Sequence, residues 1–275
     1  MTTETKIEGI LTHKTPYKER DLICSLLLRS GKTVSVYFYG GRGGGKQNKG
    51  SSLELGHMIK VQLAPRRKKL ETELLMAKEH QLLWSGKLIR DNFQAFYLCT
   101  FFLEFMGKIS VDDELEGIED DHHTGLFNVL SNALFFLNDS LEKGNFDLQT
   151  QLFVFLAKIS VQLGVPIDTE ACLFCAKELN ASLCMFDPQN GGFSCHECSS
   201  KRDEFLSENK LLRQEYQSST ELKKLIELTY SLPYKDYSLL KQVGQGVTIA
   251  QFNYLNLQFG FTKENFKTWS MISAF

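Results

Sequence analysis

Two short motifs constrain this chain more than anything else in it: Cys172-x-x-Cys175 and, after nineteen intervening residues, Cys195-x-x-Cys198. Each pair can set two thiolates on one cation through a tight turn, and two pairs close the tetrahedron that zinc prefers. Between them lie Asp187-Pro188 and Asn190-Gly191-Gly192, turn residues that bring the second pair back to the first. Four protein ligands leave no open coordination position, so the spacing argues for a structural site and against hydrolysis. A disulfide pairing would need an oxidising compartment. A redox CxxC usually sits beside a βαβ pattern, and the second pair would then have no role. His196 could replace one thiol, but the register favours the cysteines. One structural Zn2+ per chain is therefore expected on Cys172, Cys175, Cys195 and Cys198. Cys184 reads as packing, and Cys24 and Cys99 sit in apolar runs as buried, inert thiols.

At 275 residues and 43% hydrophobic, the chain has material for two or three domains with a sizeable core. Its first residues lack the basic-then-apolar pattern of a signal peptide. The longest apolar stretch, Phe93 to Met106, is broken by Gln94 and Glu104 and falls short of the roughly 20 residues a bilayer span needs. The expectation is a soluble cytoplasmic protein with reduced thiols. The net charge of −2 hides an asymmetry. Residues 1–85 hold 15 Lys+Arg against 8 Asp+Glu, and the remainder holds 16 against 25. A basic front on an acidic body suggests a polyanion bound at one end.

The first part reads as β. Ile7 to Leu11, Leu22 to Leu28, Thr33 to Tyr39, Leu53 to Leu63 and Leu70 to Ala77 are the candidate strands, with Ser30-Gly31-Lys32 as a hairpin turn. Five short strands in this span fit a small Greek-key barrel of the OB type. From about residue 80 the apolar period becomes helical, through Phe93–Phe105, Leu126–Leu137 and Leu148–Leu163, the last ended by Gly164-Val165-Pro166. A segment with seven acids, Asp112 to Asp121, reads as a solvated loop. Helices resume after the cysteines with Leu222, Leu225, Ile226 and Tyr230 on one face, and an aromatic tail from Gln251 to Phe275 packs on the body. The expected class is α+β and multidomain. An OB-fold β-barrel covers residues 1–80. An all-α domain follows in two parts, 81–170 and 200–275, with the zinc-knuckle insert at 171–199.

Gly40-Gly41-Arg42-Gly43-Gly44-Gly45-Lys46 satisfies the GxxxxGK opening of a P-loop. Gln47 follows where the Mg2+-holding hydroxyl belongs, and no helix N-terminus comes after it. Nucleotide hydrolysis is the weaker reading. The stronger one is a basic loop whose glycines let the backbone approach a sugar-phosphate chain. Arg42, Lys46 and Lys49, with Lys14, Lys18, Arg20, Arg29, Lys32, Arg66, Arg67, Lys68 and Lys69, are the candidate nucleic-acid-binding cations. Tyr17, Tyr37, Phe38 and Tyr39 could stack bases, but strand alternation turns either Phe38 or its two neighbours inward. No catalytic constellation appears: the six histidines are scattered and none sits in a nucleophile or HExxH frame.

These residues together resemble the RecO recombination mediators of bacterial DNA repair. The resemblance runs through Gly9-Ile10-Leu11, Tyr17-Lys18-Glu19-Arg20-Asp21, Gly31-Lys32 and Gly40-Gly41-Arg42. It continues through Leu126-Phe127-Asn128-Val129-Leu130, through Leu163-Gly164-Val165-Pro166 ahead of the first CxxC, and through Phe186-Asp187 and Gly191-Gly192-Phe193 ahead of the second. It covers nearly the whole chain in order, and departs from the family in the glycine-rich loop and the acidic insert. It implies a non-enzymatic, cytoplasmic and nucleoid-associated protein that binds single- and double-stranded DNA and anneals complementary strands. It further implies work with RecR, commonly with RecF, and with the C-terminal tail of single-stranded-DNA-binding protein (SSB), to help RecA load. A zinc-containing module directed at RNA and an NTPase built on Lys46 are the rivals.

Overall fold

The computed structural model describes residues 5–42, 52–65, 74–110, 125–179, 183–202, 210–240 and 243–274. Lys46, Lys49, Arg66, Arg67, Lys68, Lys69 and the acidic segment 112–121 lie outside the described residues. The chain divides into two compact units, Met1–Gly144 with Thr268–Phe275, and Asn145–Lys267.

The first unit opens with five strands: β1 (Lys6–Tyr17), β2 (Asp21–Leu28), β3 (Thr33–Phe38), β4 (Met58–Leu63) and β5 (Leu75–Trp84). They close in the order β1-β2-β3-β5-β4, with β3 and β5 parallel and the other adjacent strands antiparallel. This is the OB-type barrel. Alternation explains its interior. Leu22, Cys24, Leu26 and Leu28 on β2, Val34, Val36 and Phe38 on β3, and Ile59, Val61 and Leu63 on β4 all point into one apolar cluster. Each such side chain contributes about 1.5–3 kcal/mol by leaving water.

The fifth strand differs from the expected Leu70–Ala77. It runs on to Trp84, past the point where the helical pattern was expected to start. Most of its residues after Leu75 are exposed or half-exposed. Its own sequence therefore carries little period-2 signal, and backbone pairing with β4, from Leu63 with Ala77 to Met58 with Trp84, defines it instead.

Three helices follow in this unit: α1 (Lys87–Asp91), α2 (Phe93–Ile109) and α3 (Gly125–Glu142). The Asn92 side chain accepts the Ala95 amide at 3.0 Å and caps α2, which packs against β1. The chain's last turn returns to this unit, where the Trp269 ring meets Phe101 at 5.6 Å.

In the second unit α4 (Leu148–Gln162) starts at Asp147, whose carboxylate accepts the Thr150 amide at 2.7 Å. Residues 152–157 are all buried, so α4 is a central helix that packs against α6 (Lys210–Ser231) and α7 (Gln245–Phe259). The hairpin β6 (Cys184–Asp187) and β7 (Gly192–Cys195), followed by the short α5 (His196–Arg202), carries the second CxxC. Phe252, Tyr254 and Phe266 of the aromatic tail are buried in this unit. Among the described residues no helix is long and apolar enough to cross a membrane.

Candidate metal centre and nucleic-acid interface

The two CxxC motifs meet because the hairpin between them is built to turn. The Asp187 carboxylate accepts the amides of Gln189 and Asn190 at 3.1 and 3.2 Å, and the Gly191 amide donates to the Asp187 carbonyl at 3.0 Å. Gly191 sits at φ +65°, and a Cβ there would lie 2.9 Å from the Tyr254 hydroxyl. Glycine is required on both counts. The hairpin rests on α6, where the Thr220 hydroxyl accepts the Cys184 amide at 3.3 Å. Cys184 is fully buried, in keeping with a packing role.

At the first motif the Cys172 amide donates to the Lys177 carbonyl at 2.8 Å and the Ala176 amide donates back to the Cys172 carbonyl at 2.9 Å. Ala176 takes up φ +55° in the tight turn. Leu173 donates to Phe193 at 3.0 Å, which ties this turn to β7. The sulfurs of Cys172, Cys175, Cys195 and Cys198 all lie within 4.8 Å of one another, and those of Cys175 and Cys195 are 3.8 Å apart. Four thiolates about 2.3 Å from a zinc ion stand about 3.8 Å apart along a tetrahedral edge, so the donor set fits the metal.

The electrostatics favour a thiolate. Burial opposes ionisation of Cys172, but the amides of Cys195, Cys175 and Phe174 bring its thiol down to about 6. The Cys195 amide donates to that sulfur at 3.3 Å. The neighbouring sulfurs, Cys195 first and Cys175 next, push Cys198 up to about 12. Thiolates are the form that ligates a divalent cation, so metal binding at this cluster would release protons. His196 is exposed and lies outside the cluster. By contrast, burial pushes Cys24 and Cys99 up to about 12, which leaves them inert.

A family model described as recombination protein O, C terminal, matches residues 94–236, just over half of the chain. The chain belongs to the RecO family. The matched span runs from α2 through the four cysteines and past α6, so the candidate metal site lies within it. No curated protein matches the chain. Membership gives it a role in recombination and repair, in a family of mediators, not of enzymes.

The barrel precedes the matched span and carries the candidate cations. Three of them gather at one end. Lys18 and Arg20 lie in the β1–β2 turn, and the Arg42 amide donates to the Arg20 carbonyl at 2.8 Å where the chain leaves β3; all three are exposed. Tyr17, Tyr37 and Tyr39 stand at the same end. Phe38 is the inward member of its trio, 3% exposed, whereas Tyr39 is 80% exposed and Tyr17 43%. Tyr17 and Tyr37 meet edge to face at 5.8 Å, and the Lys18 ammonium lies 5.4 Å from the centre of the Tyr17 ring.

The other described cations are elsewhere. Arg29 and Lys32 belong to the β2–β3 hairpin, separated from the first group by the length of β2, roughly 25 Å. Arg29 donates to Glu8 at 3.0 Å and lies 5.2 Å from the centre of the Phe127 ring. The Lys32 carbonyl closes the hairpin turn by accepting the Leu28 amide at 2.8 Å. Lys14 donates to Glu54 at 2.8 Å and to the Leu53 carbonyl at 3.1 Å, so its charge is committed within the barrel. Sequence reasoning had no means of pairing Lys14 with Glu54 across this distance. Nor could it show that Glu8 draws Arg29 and Lys60 together, at 3.0 and 2.9 Å.

Proposed function

We propose that this chain is a recombination mediator that binds single- and double-stranded DNA through its barrel and anneals complementary strands. Together with RecR, and commonly RecF, it helps RecA load onto strands coated with SSB, whose C-terminal tail it engages. The observation that carries this reading is the RecO C-terminal match in a chain that begins with a closed OB-type barrel. The exposed Lys18, Arg20 and Arg42 beside three tyrosines supply phosphate contacts and ring faces, the two components of single-strand binding. Lys46, Lys49 and the run Arg66 to Lys69 add to the cationic charge of residues 1–85, while the acidic remainder of the chain disfavours indiscriminate wrapping. The bound metal is Zn2+, held by Cys172, Cys175, Cys195 and Cys198, and its task is structural. The protein catalyses no reaction and works in the cytoplasm on the nucleoid.

Two measurements test this. In the first, purified chain is offered RecR and SSB with and without its C-terminal tail. Capture of RecR, and of tailed SSB alone, is expected; capture of neither defeats the partner assignment. In the second, labelled single-stranded DNA is titrated at several salt concentrations. If about four cations meet phosphates, log affinity falls with log salt at a slope near −3, taking about −0.7 per contact. Changing Arg66, Arg67, Lys68 and Lys69 together to Glu should flatten the slope and abolish annealing with the metal content unchanged. Wild-type slope and affinity in that variant would take residues 66–69 off the DNA path. Preferential binding of structured RNA, with no annealing of DNA, would favour the RNA-directed rival.

A further inference from the structure

A carboxylate sits in the middle of the barrel's cationic end. Asp21 is the first residue of β2, paired with Tyr17 across the β1–β2 turn. Leu22 and Phe38 point into the core, so Asp21, Tyr37 and Tyr39 belong to the outer face. Asp21 is nonetheless only 5% exposed, and both its oxygens are engaged. One accepts the Gly40 amide at 2.8 Å and the other accepts the Tyr37 hydroxyl.

Each of those bonds holds something that faces solvent. Gly40 has φ +66°, the left-handed step that turns the chain out of β3 toward Arg42. Tyr37 backs the Tyr17 ring, edge to face at 5.8 Å. Tyr17 and Tyr39 add little to the barrel interior, which Phe38 and its neighbours already fill. Exposed rings flanked by Lys18, Arg20 and Arg42 suit bases whose faces are free. In a duplex those faces are stacked against one another and cannot reach a protein ring.

We infer that Asp21 is a positioning residue for single-stranded nucleic acid, clamping Tyr37 and Gly40 so that Tyr17, Tyr39 and Arg42 form a preset platform that favours unpaired strands over duplex. This rests on the reading of the barrel as the DNA-binding part and adds its strand preference and the device behind it. Both Asp21 oxygens are taken by donors and the residue is 5% exposed, so little of its charge is presented to phosphate.

The test uses the full, metal-loaded chain with a short labelled oligothymidine strand and a labelled blunt duplex. Tyr39→Ala should weaken single-strand binding about tenfold and duplex binding little, since one base–ring stack is worth about 1–3 kcal/mol. Asp21→Asn and Tyr37→Phe each remove part of the clamp. Each should lower single-strand affinity about threefold, the scale of one lost hydrogen bond, and narrow the ratio of single-strand to duplex affinity. Metal content and melting temperature are measured alongside. If Asp21→Asn melts well below wild type, Tyr37→Phe, which loses one hydroxyl, decides the matter. Equal loss on strand and duplex in Tyr37→Phe would mean a merely structural role and overturn the inference. So would a wild-type ratio in both clamp variants while Tyr39→Ala loses single-strand affinity, and in that case the DNA-binding barrel stands. If Tyr39→Ala and Arg42→Ala also bind as wild type, the reading of the barrel face fails with it.

Discussion

In the four-cysteine insert, every candidate ligand lies between residues 172 and 198, and one hairpin brings the two pairs together. At the cationic end of the barrel, Lys18 and Arg20 come from one turn, Arg42 from the exit of β3, Tyr17 and Tyr37 from two strands, and Tyr39 from the turn after β3. The hairpin leans on α6 through the Cys184 amide and on α7 through Phe186, whose ring stands 6.1 Å from that of Tyr254. The barrel closes around a continuous apolar cluster from all five strands. The contrast predicts an insert whose stability comes from a metal ion held by its four cysteines. The barrel is a stable frame on which a site is displayed.

If that contrast is right, removing one ligand should have the largest effect and a confined one. Cys172→Ser should bring metal content from near one per chain to near zero, because structural zinc in small domains is worth about 10–16 kcal/mol and three ligands retain little of it. Hydrogen exchange should then rise sharply across β6 and β7 and stay slow in β1 to β4. Fast exchange throughout the barrel would break the comparison.

A core truncation in the barrel should do the reverse. Leu26 is fully buried among the inward residues of β2, and Leu26→Ala should cost about 2–5 kcal/mol in denaturant unfolding. Metal stoichiometry is expected to remain near one.

A smaller effect is expected from acid. The Gly40 amide first, and the Tyr37 hydroxyl second, hold the Asp21 carboxyl below its ordinary range. Its contribution to stability is complete above the unfolded-chain pKa of about 3.9 and is lost as pH falls through the lower folded value. The melting temperature of wild type should therefore drop more steeply below about pH 4 than that of Asp21→Asn. Parallel acid limbs in the two proteins would remove Asp21 as a clamp of the barrel end.

The smallest change should come from Lys177→Ala. Its ammonium meets Glu197 at 3.0 Å between the two knuckles, with both side chains well exposed. Exposed pairs of this kind contribute little. Metal content and melting temperature should match wild type. A clear loss of metal would show that the insert depends on more than its four sulfurs.

The sequence by itself determined which four cysteines come together. Two CxxC pairs carry their own geometry, since ligands three residues apart on a tight turn already share a cation, and Asp187 to Gly192 is turn chemistry whatever surrounds it. It also located β2 and β3, because Leu22 to Leu28 and Thr33 to Tyr39 are short runs of strand-forming residues set off by the Ser30-Gly31-Lys32 turn. Tertiary structure decided the rest. Strand β5 is held by its pairing with β4 and β3, and its own exposed residues give no period to read. Glu54 and Glu8 take Lys14 and Arg29 into ion pairs across 40 and 21 positions of sequence. Of Tyr37, Phe38 and Tyr39, alternation required a split, and only the packed sheet put Phe38 inside. Asp21 shows the difference most clearly. In sequence it is one acid in a charged turn, and only the folded sheet brings the Gly40 amide and the Tyr37 hydroxyl to its two oxygens. Local patterns encode interactions between near neighbours. Charge partners and strand edges depend on distant residues that only the closed barrel brings together.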